Sequence, residues 1–164
     1  MPFPEPTPLV DRDLVFTFFW RFAALEAALI ADPQFRKVRP QNLAPDPGWS
    51  RFKGALERKL RAWDSQSFRD AATTLMECNV RRQVVRGDDI TWEPLAPSDS
   101  PVAFTIDTLI CVRNTLFHGG KFTGGAMDIA RDKRVLQASI NVLNECYELH
   151  EGVRLVVDDI AQAA

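Results

Sequence analysis

Three long segments of this chain carry apolar residues at the spacing of an α-helix, and this periodicity constrains the fold more than any other feature. In residues 11–31 apolar and aromatic side chains recur every three or four positions, and residues 102–117 and 127–150 show the same period. Two shorter amphipathic segments lie between them, at about 49–63 and 67–82, each after a serine or proline-glycine start signal. The pattern predicts four or five helices.

An all-α protein, built as a four- to five-helix up-and-down bundle, is the architecture that such helices favour. A small β-hairpin insert is expected near 83–93, where Gly87 and Asp88 separate two β-branched pieces. The four prolines between Asp32 and Gly48 predict a loop. The aromatic residues near its ends, Phe35 and Trp49, are expected to pack back onto the core.

The domain prediction is an extended, proline-rich tail over residues 1–10 followed by one helical domain over residues 11–164. A chain of 164 residues with 46% hydrophobic residues is long enough for one core and short for two domains. A net charge of −2 excludes the broad basic surface of a non-specific nucleic-acid coat, although a small local phosphate site remains open.

Cysteine spacing and the apolar runs predict a cytoplasmic protein without a membrane span. The three cysteines are far apart and lack a C-x-x-C pair, which is typical of reduced, partly buried thiols (Cys78, Cys111 and Cys146). No charged-then-apolar signal sequence follows Met1, and the longest apolar runs are interrupted by Arg21, Glu26 and Arg113.

Two charged residues fall where the predicted helices are most apolar. At about 100° per residue, six apolar side chains of the 102–117 helix project within roughly 60° of Arg113, and Glu26 has a similar setting in the first helix. A charge in an apolar core is unfavourable unless it is paired. An ion pair between Glu26 and Arg113 is therefore predicted. A salt bridge that only fixes helix register, without chemistry, is the alternative.

Histidine is rare in this chain, with only His118 and His150. A histidine-rich metal cluster is therefore excluded, and no metal site is predicted. His118 lies one helical turn from Asn114 and shares a face with it, although a lone histidine at a helix end is most often a surface or capping residue. His150 is assigned to a surface or interface position on the last helix.

The string 112-VRNTLFHGGK-121 resembles the signature of the HEPN superfamily, the higher eukaryotes and prokaryotes nucleotide-binding domains. Arg113, Asn114 and His118 match that signature residue by residue. In addition, 24-ALEAALI-30 is similar to the acidic segment of the helix that faces the motif, with Glu26 at the acidic position. The resemblance covers roughly residues 11–150, and the 83–92 insert lies outside the family pattern.

The resemblance implies a stand-alone, metal-independent endoribonuclease that needs no cofactor and acts as a homodimer, with both motif helices contributing to one cleft. Arg113, Asn114 and His118 would be its catalytic residues and Glu26 would support them. Lys121 is a further candidate phosphate contact, for which a solvated loop lysine is the alternative. Such a protein fits the toxin of a toxin-antitoxin or defence system, with RNA as its substrate and an antitoxin as a partner.

These residue types fit the chemistry of RNA cleavage. Attack of a 2′-hydroxyl on the adjacent phosphate needs a proton acceptor, a proton donor and positive charge on the phosphoryl oxygens. His118 can transfer protons near neutral pH, and Arg113 can clamp a phosphate with two hydrogen bonds. Asn114 would orient the histidine or bind a phosphate oxygen. Each chain offers one such histidine, so a second would come from the partner subunit.

Two other functions remain open at this point. The first is a HEPN-like module that binds a nucleotide or a nucleotidyltransferase partner without cutting RNA. The second is a purely structural helical dimer. An ionisable histidine beside a phosphate-binding arginine favours the nuclease, because an adaptor has no chemical need for it.

Overall fold

The computed structural model describes residues 11–38, 45–98, 100–117 and 128–162, and within these ranges the chain forms six α-helices and two short β-hairpins. The helices are α1 (Arg12–Ala31), α2 (Trp49–Ala62), α3 (Gln66–Glu77), α4 (Pro101–Phe117), α5 (Ile129–Leu149) and α6 (Glu151–Gln162). The strands are β1 (Arg36–Val38), β2 (Pro45–Pro47), β3 (Arg81–Arg86) and β4 (Asp89–Pro94). A helical fold with a small β insert is therefore confirmed, with six described helices instead of four or five. The up-and-down bundle arrangement remains a prediction.

Helix α1 begins and ends where the sequence predicts. The Asp11 carboxylate accepts hydrogen bonds from the backbone N–H groups of Asp13 at 3.0 Å and Leu14 at 3.3 Å, which are otherwise unpaired in the first turn. At the other end, Asp32 adopts an extended conformation before Pro33 and ends the helix. One face of α1 is buried in the core, at Phe18, Phe22, Ala24, Leu25, Ala28 and Leu29.

The core joins all six helices. Helix α1 packs against α5 and α6, α3 packs against α4 and α5, and α2 packs against α4 and α5. Within the described residues α1 and α4 have few close backbone contacts, and both helices contribute side chains to the same core. The largest fully buried side chains are aromatic, and each removes a large apolar area from water: Phe18, Phe22, Phe35 and Phe52.

All three cysteines are free and buried, as predicted. Burial, with a smaller contribution from the charge of Glu145, raises the pKa of the Cys146 thiol to about 12. This thiol therefore stays protonated and serves as a packing group.

The predicted hairpin insert is confirmed as the β3–β4 hairpin. The two strands pair antiparallel from Arg81 opposite Pro94 to Arg86 opposite Asp89. Gly87 lies at the turn with φ +63°, a conformation that favours glycine.

Helix α3 is shorter than the predicted segment, which extended to about Arg82. It ends at Glu77, and Asn79 follows in the left-handed region with φ +45°. Asparagine is one of the few residues that tolerate this conformation at the end of a helix. As a result, Arg81 and Arg82 belong to strand β3 instead of a helix.

The proline-containing segment between α1 and α2 was predicted to be a loop, and this prediction is wrong for its two ends. β1 and β2 form a short antiparallel pair, with Arg36 opposite Pro47 and Val38 opposite Pro45. Proline is acceptable there because each strand has only one neighbour, so its missing N–H can face away from the pair. The expected packing of Phe35 onto the core is confirmed, since this side chain is 0% exposed.

His150 lies between α5 and α6 and not within a helix as predicted, and its side chain is partly buried. Its ring packs edge-on against Phe35, with centroids 4.8 Å apart, and its Nδ1 accepts a hydrogen bond from the Val153 N–H at 3.4 Å. His150 thus caps the first turn of α6. Helix periodicity alone did not reveal this role, because the chain bends at His150 and turns the ring toward Phe35.

The folded protein should lose stability when His150 is protonated. Burial, and then the nearby charge of Lys59, lower the pKa of His150, while Asp32 acts in the opposite direction. The native state therefore binds this proton more weakly than the unfolded chain, so stability is greatest above the unfolded pKa of about 6.5 and falls below it. In urea unfolding between about pH 7.5 and about pH 5.5, His150→Asn should show a weaker pH dependence than the wild type. Equal slopes would contradict this, since asparagine keeps the cap but does not titrate.

Helix α1 is long and apolar enough to cross a membrane when only length and composition are considered. Its most apolar window has a mean hydropathy of 1.7, and 33% of that window is buried inside the protein. Core helices of soluble proteins pass the same test, and Phe18 and Leu29 of α1 are fully buried. The absence of a membrane span therefore stays a prediction.

Candidate functional site

Helix α4 carries Arg113 and Asn114 near its C-terminal end. The helix begins after Ser100, whose Oγ accepts a hydrogen bond from the Ala103 N–H at 3.2 Å, and Pro101 occupies its first position. Ile106 and Leu109 anchor its inner face in the core. This anchoring fixes the direction in which the two motif residues project.

The predicted ion pair between Glu26 and Arg113 is present. Arg113 Nη2 lies 3.1 Å from Glu26 Oε2 and 3.4 Å from Oε1, so one guanidinium nitrogen contacts both carboxylate oxygens. The Arg113 guanidinium carbon also lies 5.7 Å from the centre of the Phe22 ring. The pair links α4 to α1.

The structure corrects the expectation that Arg113 lies in the middle of a buried stripe. The Arg113 side chain is 35% exposed and that of Glu26 is 24% exposed. The guanidinium lies over the Phe22 ring and is still partly open to solvent. A ligand can therefore approach the guanidinium directly.

Asn114 contacts the other terminal nitrogen of the Arg113 guanidinium. Its Oδ1 accepts a hydrogen bond from Arg113 Nη1 at 2.9 Å, which leaves the amide nitrogen of Asn114 as a further donor. One terminal nitrogen of the arginine thus contacts a carboxylate and the other contacts an amide oxygen. Two neighbouring groups that restrict the side chain lower the entropy cost of binding a phosphate.

His118 and Lys121, the other two predicted site residues, lie outside the described residues. The structure therefore brings together Glu26, Arg113 and Asn114 from the predicted set. In the described part of the chain, no group of three or more His, Cys, Asp or Glu side chains is placed to hold a metal ion.

A cleft of about 520 Å³ adjoins this cluster, and we call it the hairpin cleft. It lies between strand β3, residues 95–96 and helix α4, and both Arg82 and Asn114 line it. Sequence reasoning missed the side of the cleft formed by strand β3, because residues 67–82 were predicted to be a helix. The basic string 81-RRQVVR-86, with its β-branched centre, is the signal that could have identified it.

The Glu26–Arg113 pair should show measurable energetic coupling. In a double-mutant cycle of Glu26→Gln and Arg113→Met, we expect a coupling free energy of about 1 kcal/mol, because the pair is partly shielded from solvent. Urea unfolding of the two single variants and the double variant measures it.

A control for this cycle is the more exposed pair Glu77–Arg134, in which Arg134 Nη2 lies 3.2 Å from Glu77 Oε2. The two side chains are 61% and 59% exposed. The same substitutions there should give less than about 0.5 kcal/mol, because water screens the charges. Additive losses at Glu26 and Arg113 would show that their contact contributes nothing to stability.

The site therefore presents a half-exposed arginine, supported by a carboxylate and an amide, beside an open cleft. This arrangement can bind an anion such as a phosphate group. No protein-family model matches the chain, and neither curated proteins nor solved structures show a match to it.

Proposed function

We propose that this protein is a metal-independent endoribonuclease of the HEPN type, which cleaves RNA by attack of the 2′-hydroxyl at a site composed of two subunits. The observation that supports this most is the contact of Arg113 with both Glu26 and Asn114, where both side chains of the ion pair are partly exposed. The proposed setting is a cytoplasmic toxin of a toxin-antitoxin or defence system.

Arg113 would bind the phosphate under attack. Its guanidinium is permanently charged and can donate two hydrogen bonds to phosphoryl oxygens. Glu26 holds it while RNA is absent, and partial exposure allows a phosphate to replace the carboxylate. The amide nitrogen of Asn114 would donate to a phosphoryl oxygen.

His118 would move the protons. It would act as the base and accept the proton of the 2′-hydroxyl. The bond from phosphorus to the 5′-oxygen breaks, and this oxygen would take a proton from a separate general acid. The His118 residue of the partner subunit can supply that acid, because one histidine cannot hold and accept a proton at the same time. The products would be a 2′,3′-cyclic phosphate and a 5′-hydroxyl.

An exposed apolar face on α1 supports the homodimer. It is formed by Phe16, Trp20, Ala23 and Ala27, and we call it the α1 outer face. Phe16 is 71% exposed and Trp20 is 48% exposed, which is unusual for two aromatic side chains one turn apart. Glu26 lies beside this face, one turn from Ala23, so a partner bound here would approach the Glu26–Arg113 pair.

The order of residues in the α1 outer face suits a second copy of the same chain. Their spacing of i, i+4, i+7 and i+11 is the same when read in either direction. In an antiparallel pair about a two-fold axis, Phe16 would face Ala27 of the partner subunit, and Trp20 would face the partner's Ala23. Each large side chain would thus meet a small one, as close helix packing requires.

Incubation of the purified protein with a mixed RNA pool in excess EDTA tests the proposed activity. We expect internal cleavage that leaves 2′,3′-cyclic phosphate and 5′-hydroxyl ends, because this route needs no metal ion. Products with 5′-phosphate ends, or cleavage that requires added magnesium, would contradict the mechanism. No cleavage across varied RNAs would favour the module that binds a nucleotide or a nucleotidyltransferase.

A further inference from the structure

The hairpin cleft offers contacts that suit a nucleobase. The apolar side chains of Leu95, Ala96 and Ile110 line one part of it, and the amide side chains of Gln83 and Asn114 line another. Flat bases bind through apolar contact with their faces, which the first part of the cleft offers, and through hydrogen bonds to their edges, which an N–H of the Asn114 amide can donate. Its volume of about 520 Å³ is within the usual range of small-molecule sites.

The charge in the cleft is positive. Arg82 lines it, and its side chain forms no hydrogen bond or ion pair with the residues that the structure describes. The acidic residue in the lining, Asp107, is paired with Lys53 and is therefore neutralised locally. A guanidinium without a partner among the described residues, beside a neutralised carboxylate, attracts a phosphate group.

Asn114 connects the hairpin cleft to the proposed cleavage site. Its Oδ1 contacts Arg113, while the residue itself lines the cleft. A nucleotide in the cleft would therefore be next to a phosphate bound at Arg113.

We infer that the hairpin cleft binds one nucleotide of single-stranded RNA, adjacent to the phosphate held by Arg113, and that Arg82 contacts the phosphate of that nucleotide. This inference rests on the proposed function for the identity of the ligand. The β3–β4 hairpin, which lies outside the family pattern, would give this chain its own selection among RNA sequences.

The test measures binding without cleavage. The probe is a short fluorescein-labelled single strand with 2′-O-methyl groups, which cannot be cut because it has no free 2′-hydroxyl. In fluorescence anisotropy Arg82→Ala should weaken binding about tenfold, and the slope of log affinity against log salt should fall by about 0.7, as for one lost phosphate contact.

Arg86→Ala is the matched control. Arg86 is on the same strand, lies outside the cleft lining and is paired with Glu93 at 2.6 Å. Arg86→Ala should change the affinity for the labelled strand by less than about twofold. A second variant, Ala96→Glu, places a negative charge at an exposed position of the cleft and should weaken binding about fivefold without affecting the core.

The outcomes separate this inference from the proposed nuclease. If the wild type cuts RNA but Arg82→Ala and Arg86→Ala bind the probe equally, the cleft is not the nucleotide site and the nuclease stands. If Arg82→Ala selectively weakens binding while the wild type cuts no RNA, the cleft is supported and the nuclease is wrong. Failure of the wild-type protein to bind the probe would overturn the inference.

Discussion

Replacement of His118 by alanine is expected to reduce RNA cleavage by about 10²–10⁴-fold, the usual contribution of a general acid or base. The reason is that Arg113 and Asn114 can bind a phosphate but cannot exchange protons with it near neutral pH. Single-turnover cleavage of an end-labelled RNA in excess EDTA measures the effect.

The matched control is His150→Asn, which removes the other histidine of the chain. His150 packs against Phe35 and caps α6, so its replacement should change stability and leave cleavage within about twofold of the wild type. Equal cleavage by the wild type and His118→Ala would indicate a contaminating nuclease. Equal losses in both histidine variants would point to damage to the fold, which circular dichroism and thermal unfolding would detect.

Substitution of Ala23 by arginine is expected to abolish dimer formation and cleavage together. Ala23 is exposed on the α1 outer face, so the monomer fold can accept the larger side chain. At a two-fold contact the change places two like charges against apolar partners, and the dimer dissociation constant should rise by at least about 100-fold. Sedimentation or light scattering over a concentration series gives the constant, and cleavage is measured at the same concentrations.

The control for this variant is Ala62→Arg, the same change at an exposed alanine at the end of α2. It should leave association and cleavage unchanged. Full activity of a strictly monomeric Ala23→Arg protein would contradict the composite site while leaving the nuclease proposal intact. A wild-type protein that is monomeric at tens of micromolar would have the same consequence.

Part of the candidate site followed from the sequence alone because it depends on local periodicity. When each of two helices carries one charged residue in the middle of its apolar face, the two opposite charges are predicted to pair. Glu26 and Arg113 form this ion pair at 3.1 Å. The hairpin insert was predictable for a similar reason, since Gly87 can adopt the positive φ of a tight turn.

The exposure of the pair was not predictable. Periodicity assigns a residue to a face of its helix, but not the distance from that face to the next helix. The Arg113 side chain is 35% exposed while its guanidinium lies over the Phe22 ring, and both depend on how α4 is placed next to α1.

The sequence by itself thus determined the positions of α1, α2, α4 and α5, where α1 begins and ends, and which two charges meet, because each depends on neighbours in the chain or on a single face. Tertiary structure decided the rest. The positive φ of Asn79 ends α3 early and moves Arg82 onto β3, where residues distant in sequence complete the hairpin cleft. His150 packs against Phe35 in the folded core, and no local sequence pattern predicts this contact. These features arise from contacts between distant segments, and helical spacing carries no information about them.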